Sequence, residues 1–332
     1  MLTTMTNEND IAVDVCAFAL PREYCDARRA SDPAWKAPAN RLLTDMDLRL
    51  VANPPMSQEI IACPGAAAAP TVAEADAANA GLKRMVSDDP EMFQGAIAAA
   101  PLKDIAQAVH VLRADVAASD LLLGVGLPAV FEGTPISDER FEPLFAAAEQ
   151  VQRPVWLLAG KNATNSDAAG EGGNAAAKVL ASLVSSGCFQ RHPRLLLIVH
   201  GALADGPTAT AAALAPLGDS LPAGLFLDTA GADAGAIKGA AGVFGAAHLL
   251  FGTGLPADGV AHESDGPDCD EAVLALARLD AAGLSEGDRH AVRCGNWEAL
   301  VSCLPIDMPK TRLVDEDEAG DSGSDETGGA GD

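Results

Sequence analysis

Residues 133–158 read Gly-Thr-Pro-Ile-Ser-Asp-Glu-Arg-Phe-Glu-Pro-Leu-Phe-Ala-Ala-Ala-Glu-Gln-Val-Gln-Arg-Pro-Val-Trp-Leu-Leu. The polar, turn-forming start gives way to an alanine-rich run, Phe141 to Gln150, whose spacing predicts a helix. Pro154 stops it, and Val155 to Leu158 is uninterruptedly apolar. A short continuous apolar run is what a strand covered on both faces looks like.

The same unit repeats outward in both directions. Toward the N-terminus, strands are expected at Ile11–Val15, Glu59–Cys63, Phe93–Ala98 and Leu121–Leu127. Helices are expected at Arg41–Val51, Val72–Ser87 and Lys103–Ala114. Toward the C-terminus, strands at Leu195–His200, Leu225–Asp228 and His248–Gly252 alternate with helices at Ala175–Ser185, Leu203–Leu217 and Ala232–Val243. Helices Cys269–Ala282 and Glu286–Cys303 complete the pattern. Apolar strands separated by helices imply a parallel sheet, and eight repeats fit a (β/α)₈ TIM barrel. A doubly wound open sheet is the alternative, but no Gly-rich dinucleotide fingerprint follows any strand. Three stretches read as loops: Asp26–Asn40, Gly160–Gly173 and Leu255–Asp268. The Gly170-Glu-Gly-Gly173 turn lacks the lysine and order of a phosphate cradle.

Composition narrows the function. The chain has 332 residues, enough for one large barrel, and is 48% hydrophobic. Its net charge of −25 repels nucleic-acid phosphates and anionic lipids, so neither nucleic acid nor membrane is an expected partner. Residues 1–10 lack the basic start and apolar core of a signal peptide and are expected to be flexible. No apolar run reaches the ~18 residues of a spanning helix. The seven cysteines are scattered without a Cys-x-x-Cys pair, which fits a reducing cytoplasm. The barrel is expected over residues 11–313. Residues 314–332 are an acidic tail of Asp, Glu, Gly and Ser expected to be disordered.

Several ordered segments together carry a family resemblance. They are Val13–Tyr24, Asn79, Asp89–Gly95, Pro101-Leu-Lys-Asp104, residues 133–154, Ser186–Leu195 with His200-Gly201, Leu225–Ala230, Leu249–Pro256 and Gly295-Asn296. In this order they resemble the amidohydrolase-related family, in the branch of the hydroxybenzoate-type and ACMSD-type decarboxylases. The resemblance implies an amidohydrolase-like barrel with a divalent metal held by two first-strand histidines, further histidines on strands five and six, and an aspartate on strand eight. Here those positions carry Cys16, Phe18, Leu158, His200 and Gly254.

Only His200 keeps the family residue. Phenylalanine and leucine cannot bind a metal, while cysteine can as a thiolate with partners. Cys16 and His200 are therefore the weak metal candidates, with Asp258 or His262 as conceivable third ligands. Asp228 either points into the mouth or orients a loop, and Lys161 follows the altered fifth strand. His110, His192, His248 and His290 read as structural. The resulting expectation is a chain with no resident cofactor that serves as a non-catalytic structural or regulatory subunit. It would act as a homo-oligomer or beside an enzyme subunit, with a small-molecule ligand at the mouth as a further option. The alternative is a residual or repurposed hydrolase or carboxy-lyase for a small aromatic or carboxylated substrate. That enzyme would use Cys16 and His200, with a weakly bound divalent metal such as zinc.

Overall fold

The structure is a computed structural model that describes residues 11–38, 40–52, 57–64, 71–159, 175–204, 206–218, 221–255 and 269–306. Within them, eight strands form one sheet: β1 (Ala12–Phe18), β2 (Ser57–Ala62), β3 (Phe93–Ala99), β4 (Leu122–Pro128), β5 (Val155–Leu158), β6 (Leu197–His200), β7 (Leu225–Asp228) and β8 (Leu249–Leu250). Each pairs in parallel with the next. The circle closes through Val15 N–H to Phe251 O at 3.0 Å, Gly254 N–H to Cys16 O at 2.9 Å and Phe18 N–H to Leu255 O at 2.8 Å. This is the expected (β/α)₈ barrel. In such barrels the reactive end is the one where the strands finish, because side chains from several strands converge there.

The helices lie between the strands: α1 (Arg22–Ser31), α2 (Met46–Ala52), α3 (Val72–Asp88), α4 (Ile105–His110), α5 (Glu142–Val151), α6 (Ala175–Ser185), α7 (Pro207–Leu214), α8 (Ala234–Phe244), α9 (Cys269–Ala281), α10 (Glu286–His290) and α11 (Asn296–Ser302). No described helix is long and apolar enough to cross a membrane. Local chemistry sets their starts. Thr71 and Glu74 form a reciprocal capping box at α3, and the Asp104 side chain accepts Gln107 N–H at α4.

Departures from the sequence expectations have identifiable causes. The first strand runs on to Phe18, because the apolar run after Val15 lies wholly inside the barrel. The stretch Asp26–Asn40 is not irregular throughout: α1 continues through Ser31. It buries Tyr24 and Cys25, and Arg28 reaches Glu74 of α3 at 3.0 Å. The helix expected from Leu203 begins only at Pro207, where the missing N–H costs nothing in a first turn. It tightens into a 3₁₀ turn at Ala215–Leu217, beside Pro216. Val111–Val116 and Ala291–Gly295 are π-turns that extend α4 and join α10 to α11. The expected terminal tails and the loop at 160–173 lie outside the described residues, as does most of the loop at 255–268.

Two buried polar contacts fix the first strand. Trp156 of β5 donates its indole N–H across the barrel to Val15 O at 2.9 Å. Arg49 of α2 is buried, pairs with Glu59 of β2 at 2.7 Å, and donates to Phe18 O. Gly124 is required by the tryptophan: a Cβ there would stand 2.7 Å from its ring and 2.1 Å from Pro154 O. The strand that carries Cys16 and Phe18 is thus anchored at both ends of that pair.

Candidate functional site

Cys16, Phe18, His200 and Asp228 meet inside the strand ends of the barrel. Residues i and i+2 of a strand face the same way, so Cys16 and Phe18 both point inward from β1. The backbone of Cys16 is held from its own strand: Asp14 Oδ1 accepts Cys16 N–H at 3.0 Å. The same carboxylate accepts Thr253 N–H at 3.0 Å and the Thr253 hydroxyl, tying β1 to the segment after β8. Burial, with a smaller contribution from nearby Glu59, pushes the Asp14 carboxyl up to about 6 against the opposing effect of these hydrogen bonds.

His200 ends β6 and is buried. Its Nδ1 donates to Asp228 Oδ2 at 2.6 Å, from the end of the neighbouring β7. Asp228 is itself fully buried, and its other oxygen accepts Gly201 N–H at 2.8 Å and Ala230 N–H at 3.2 Å. The Cys16 thiol lies close to the same imidazole, within 4.8 Å of its nearest ring nitrogen. Ligating atoms of Cys16, His200 and Asp228 all lie within 4.8 Å of one another. Three buried groups from strands one, six and seven, a thiol, an imidazole and a carboxylate, therefore form one cluster.

Their titration follows from that arrangement. Burial alone would lower the affinity of His200 for its second proton, but the Asp228 carboxylate and Cys16 more than reverse this, and its pKa lies well above that of an ordinary imidazole. Burial pushes the Cys16 thiol up, and the neighbouring imidazole offsets only part of that.

The remaining positions shape the space. Phe18 presents its ring edge-on to His200, with centroids 5.8 Å apart and planes at 88°. Leu158 ends β5 in register with His200, and lines an apolar recess with Ala62, Cys63, Ile97, Ala99 and Gly126. Gly254 lies at φ +69°, and a Cβ there would meet His200 Cε1 at 2.8 Å and Nε2 at 2.9 Å. The imidazole occupies the space a strand-eight side chain would need. Gly252 is equally close to Asp228, whose Cβ lies 2.9 Å from where a glycine-to-alanine change would put a methyl.

Lys161, Asp258 and His262 lie outside the described residues. His192 bonds to Glu142 at 2.7 Å and Glu149 at 3.4 Å, while His248 donates to Leu225 O at 2.7 Å; both are far from this centre in the fold. His110 and His290 lie on α4 and α10, also away from it. Sequence reasoning left the role of Asp228 open, and the structure gives it to His200. It missed Asp14 and Thr253. The available signal was a lone carboxylate in an otherwise apolar strand, Val13-Asp-Val-Cys-Ala-Phe18.

The family model described as Amidohydrolase matches residues 28–301. The chain belongs to the amidohydrolase family. A search of curated protein sequences gave no match. Among solved structures, a 2,6-dihydroxybenzoate decarboxylase from Rhizobium is similar at 21% identity, covering 88% of this chain and 99% of that one with a TM-score of 0.66. A dihydroxybenzoic acid decarboxylase from Polaromonas sp. JS666, with bound manganese and 2-nitroresorcinol, shares 19% identity over 88% and 97% of the chains at TM-score 0.64. A 5-carboxyvanillate decarboxylase from Novosphingobium aromaticivorans, also with manganese, shares 18% over 89% and 97% at TM-score 0.65. At these identities the likeness shows the fold.

These structures correct one expectation. The absence of a cofactor, inferred from the lost histidines, does not stand: solved relatives of this amidohydrolase fold carry a divalent metal. Asp228 joins Cys16 and His200 within 4.8 Å, though its oxygens already accept from His200, Gly201 and Ala230. A sulfur, a nitrogen and a carboxylate within reach of one point can hold a divalent cation.

Proposed function

We propose that this amidohydrolase is a metal-assisted carboxy-lyase or hydrolase acting on a small aromatic or carboxylated substrate, with Cys16, His200 and Asp228 as its reacting centre. The observation that carries the reading is the convergence of these three buried groups at the strand ends. The decarboxylases among the structural relatives support the substrate class by analogy of fold.

Cys16 and His200 are the residues that would hold a cation, with Asp228 behind the imidazole. Bound there, a divalent ion supplies positive charge that polarises a carboxylate or carbonyl oxygen. Asp228 fixes the ring by accepting from Nδ1, so that Nε2 faces the barrel axis. Gly201 and Ala230 N–H groups hold the carboxylate in turn. Phe18 and Leu158 replace polar donors with carbon, which excludes water and suits the face or edge of an aromatic ring. The test is turnover of a panel of dihydroxybenzoates, carboxyvanillate and small lactones by the full chain, with added divalent metals. H200A and D228N should each lower turnover by about 10²-fold or more. Equal rates in wild type and both variants would refute the assignment.

One observation favours a second reading. Four of the five family positions carry other residues, Cys16, Phe18, Leu158 and Gly254. A non-catalytic subunit, self-associated or joined to an active enzyme, would account for that. Co-purification from the native host with an active relative, together with no turnover under any metal, would favour it.

A further inference from the structure

We propose that Asp14 and Thr253 are positioning residues: the clasp between their side chains sets the placement of the Cys16 thiol against the His200 imidazole. The inference rests on the proposed function for the reaction in which that pair takes part. The last strand of the barrel is its shortest, since β8 pairs with β7 over two residues, Leu249 and Leu250. The five residues that follow, Phe251-Gly-Thr-Gly-Leu255, close the ring against β1. Two of them are glycines, which lose more freedom than any other residue on being fixed. Side chains on both flanks supply the order. On the β7 side the Thr229 hydroxyl donates to Gly252 O at 3.2 Å and accepts Gly252 N–H at 3.1 Å. On the β1 side Asp14 Oδ1 accepts Thr253 N–H at 3.0 Å, and Asp14 Oδ2 accepts the Thr253 hydroxyl. The Thr253 oxygen in turn accepts Leu255 N–H at 3.1 Å.

This segment is a wall of the reacting centre. A Cβ on Gly252 would lie 2.9 Å from Asp228 Cβ, and one on Gly254 would lie 2.8 Å from His200 Cε1. The backbone here therefore packs directly on Asp228 and on the imidazole. The same Asp14 Oδ1 that holds Thr253 also accepts Cys16 N–H at 3.0 Å, and Gly254 N–H returns to Cys16 O at 2.9 Å. One oxygen atom thus fixes the spacing between the backbone that carries the thiol and the backbone that bears on the ring. Asp14 is buried, and a buried carboxyl is a costly tie between strands. The geometry calls for one all the same: one oxygen accepts two N–H groups while the other accepts a hydroxyl. Asp14 and Thr253 act on the centre through the backbones of Cys16 and Gly254.

Thr253→Val keeps the shape of the side chain and removes the hydroxyl, while Thr253→Ser keeps the hydroxyl. In the full chain with isotope-labelled histidines, the His200 ring signals are assigned by their loss in His200→Ala and followed by NMR. Steady-state kcat and KM are measured beside them. Displacing reacting groups by about 1 Å costs up to about 10²-fold in the chemical step. Thr253→Val should therefore shift the His200 signals and lower kcat about tenfold or more, with KM changed less than about twofold. Thr253→Ser should return both to near the wild-type values. Trp297→Phe is the control for plain loss of stability. It deletes the indole bond to Gln94 at 2.8 Å, near the start of β3, and should leave the His200 signals and kcat unchanged. Far-ultraviolet dichroism checks folding. If the valine form is misfolded, Asp14→Asn replaces it, and should shift the same signals and lower kcat in the same way. Unchanged His200 signals and kcat in Thr253→Val, a serine form as impaired as the valine form, or an equal loss in Trp297→Phe would overturn the proposal. Wild-type turnover that survives Thr253→Val intact would sink this inference and leave the carboxy-lyase reading standing. No wild-type turnover on any substrate would sink that reading, while a His200 shift in Thr253→Val that Thr253→Ser reverses would still support the clasp.

Discussion

At the residue scale, the centre is a substitution of partners. His200 sits at the strand-six end, with its carboxylate supplied by Asp228 of the adjacent β7 at 2.6 Å. Gly254 makes this possible, since any side chain there would collide with the imidazole. Restoring the family carboxylate should therefore harm the protein. G254D places a Cβ residue at φ +69° and forces His200 aside. We expect a loss of about 1–3 kcal/mol in urea unfolding from the backbone alone, and no gain in turnover. A variant as stable as wild type would show that the ring can move freely. That Cys16, Phe18, Leu158 and His200 face into the barrel was legible because strand periodicity and motif order fix which side chains point inward. The role of Asp228 was not. Its partner is 28 residues away, and only the pairing of β6 with β7 brings the two together.

At the scale of elements, strand positions were readable and helix starts were less so. Apolar runs such as Val155–Leu158 announce themselves, and the structure returns that strand with the expected limits. The helix beyond Leu203 started later because Pro207 takes the first-turn position, and the one expected through Ala114 changes to a π-turn at Val111. These are decisions of single turns, governed by caps and packing that a periodicity does not encode.

One inter-element contact has a clear pH signature. Glu142, at the start of α5, accepts from Arg191 Nε at 2.6 Å and Nη2 at 2.7 Å, and His192 Nε2 lies 2.7 Å away. The Arg191 bonds above all, aided by His192 and partly opposed by burial, lower the Glu142 carboxyl to about 2. A depressed carboxyl stabilises the fold above its ordinary pKa, and that contribution is lost as pH falls from about 4.5 to about 2. Because the pair is partly solvated, its worth is about 1 kcal/mol. E142Q should lose that amount at pH 6, with the difference shrinking toward pH 2 in denaturant titrations. A pH-independent difference would show that the carboxylate is not the source.

At the scale of the whole molecule, the barrel brings residues from distant strands into one site. Cys16 and His200 are 184 positions apart in sequence, yet β1 and β6 project them to one point inside a ring closed by Val15, Cys16 and Phe18. The order of motifs gave the ring, while the contents of its centre required the fold. The partner of His200 stayed open at the level of sequence because strands were compared position by position with a family pattern, and Asp228 falls outside that pattern. Cys16, His200 and Asp228 are proposed to act as one unit, with Asp228 holding the His200 ring that faces the thiol. Anomalous diffraction from crystals of the full chain soaked in a divalent metal is decisive for this unit. A single peak beside Cys16 Sγ and the His200 ring is expected. A metal-saturated crystal with no peak there, or with the ion bound only elsewhere, would overturn it.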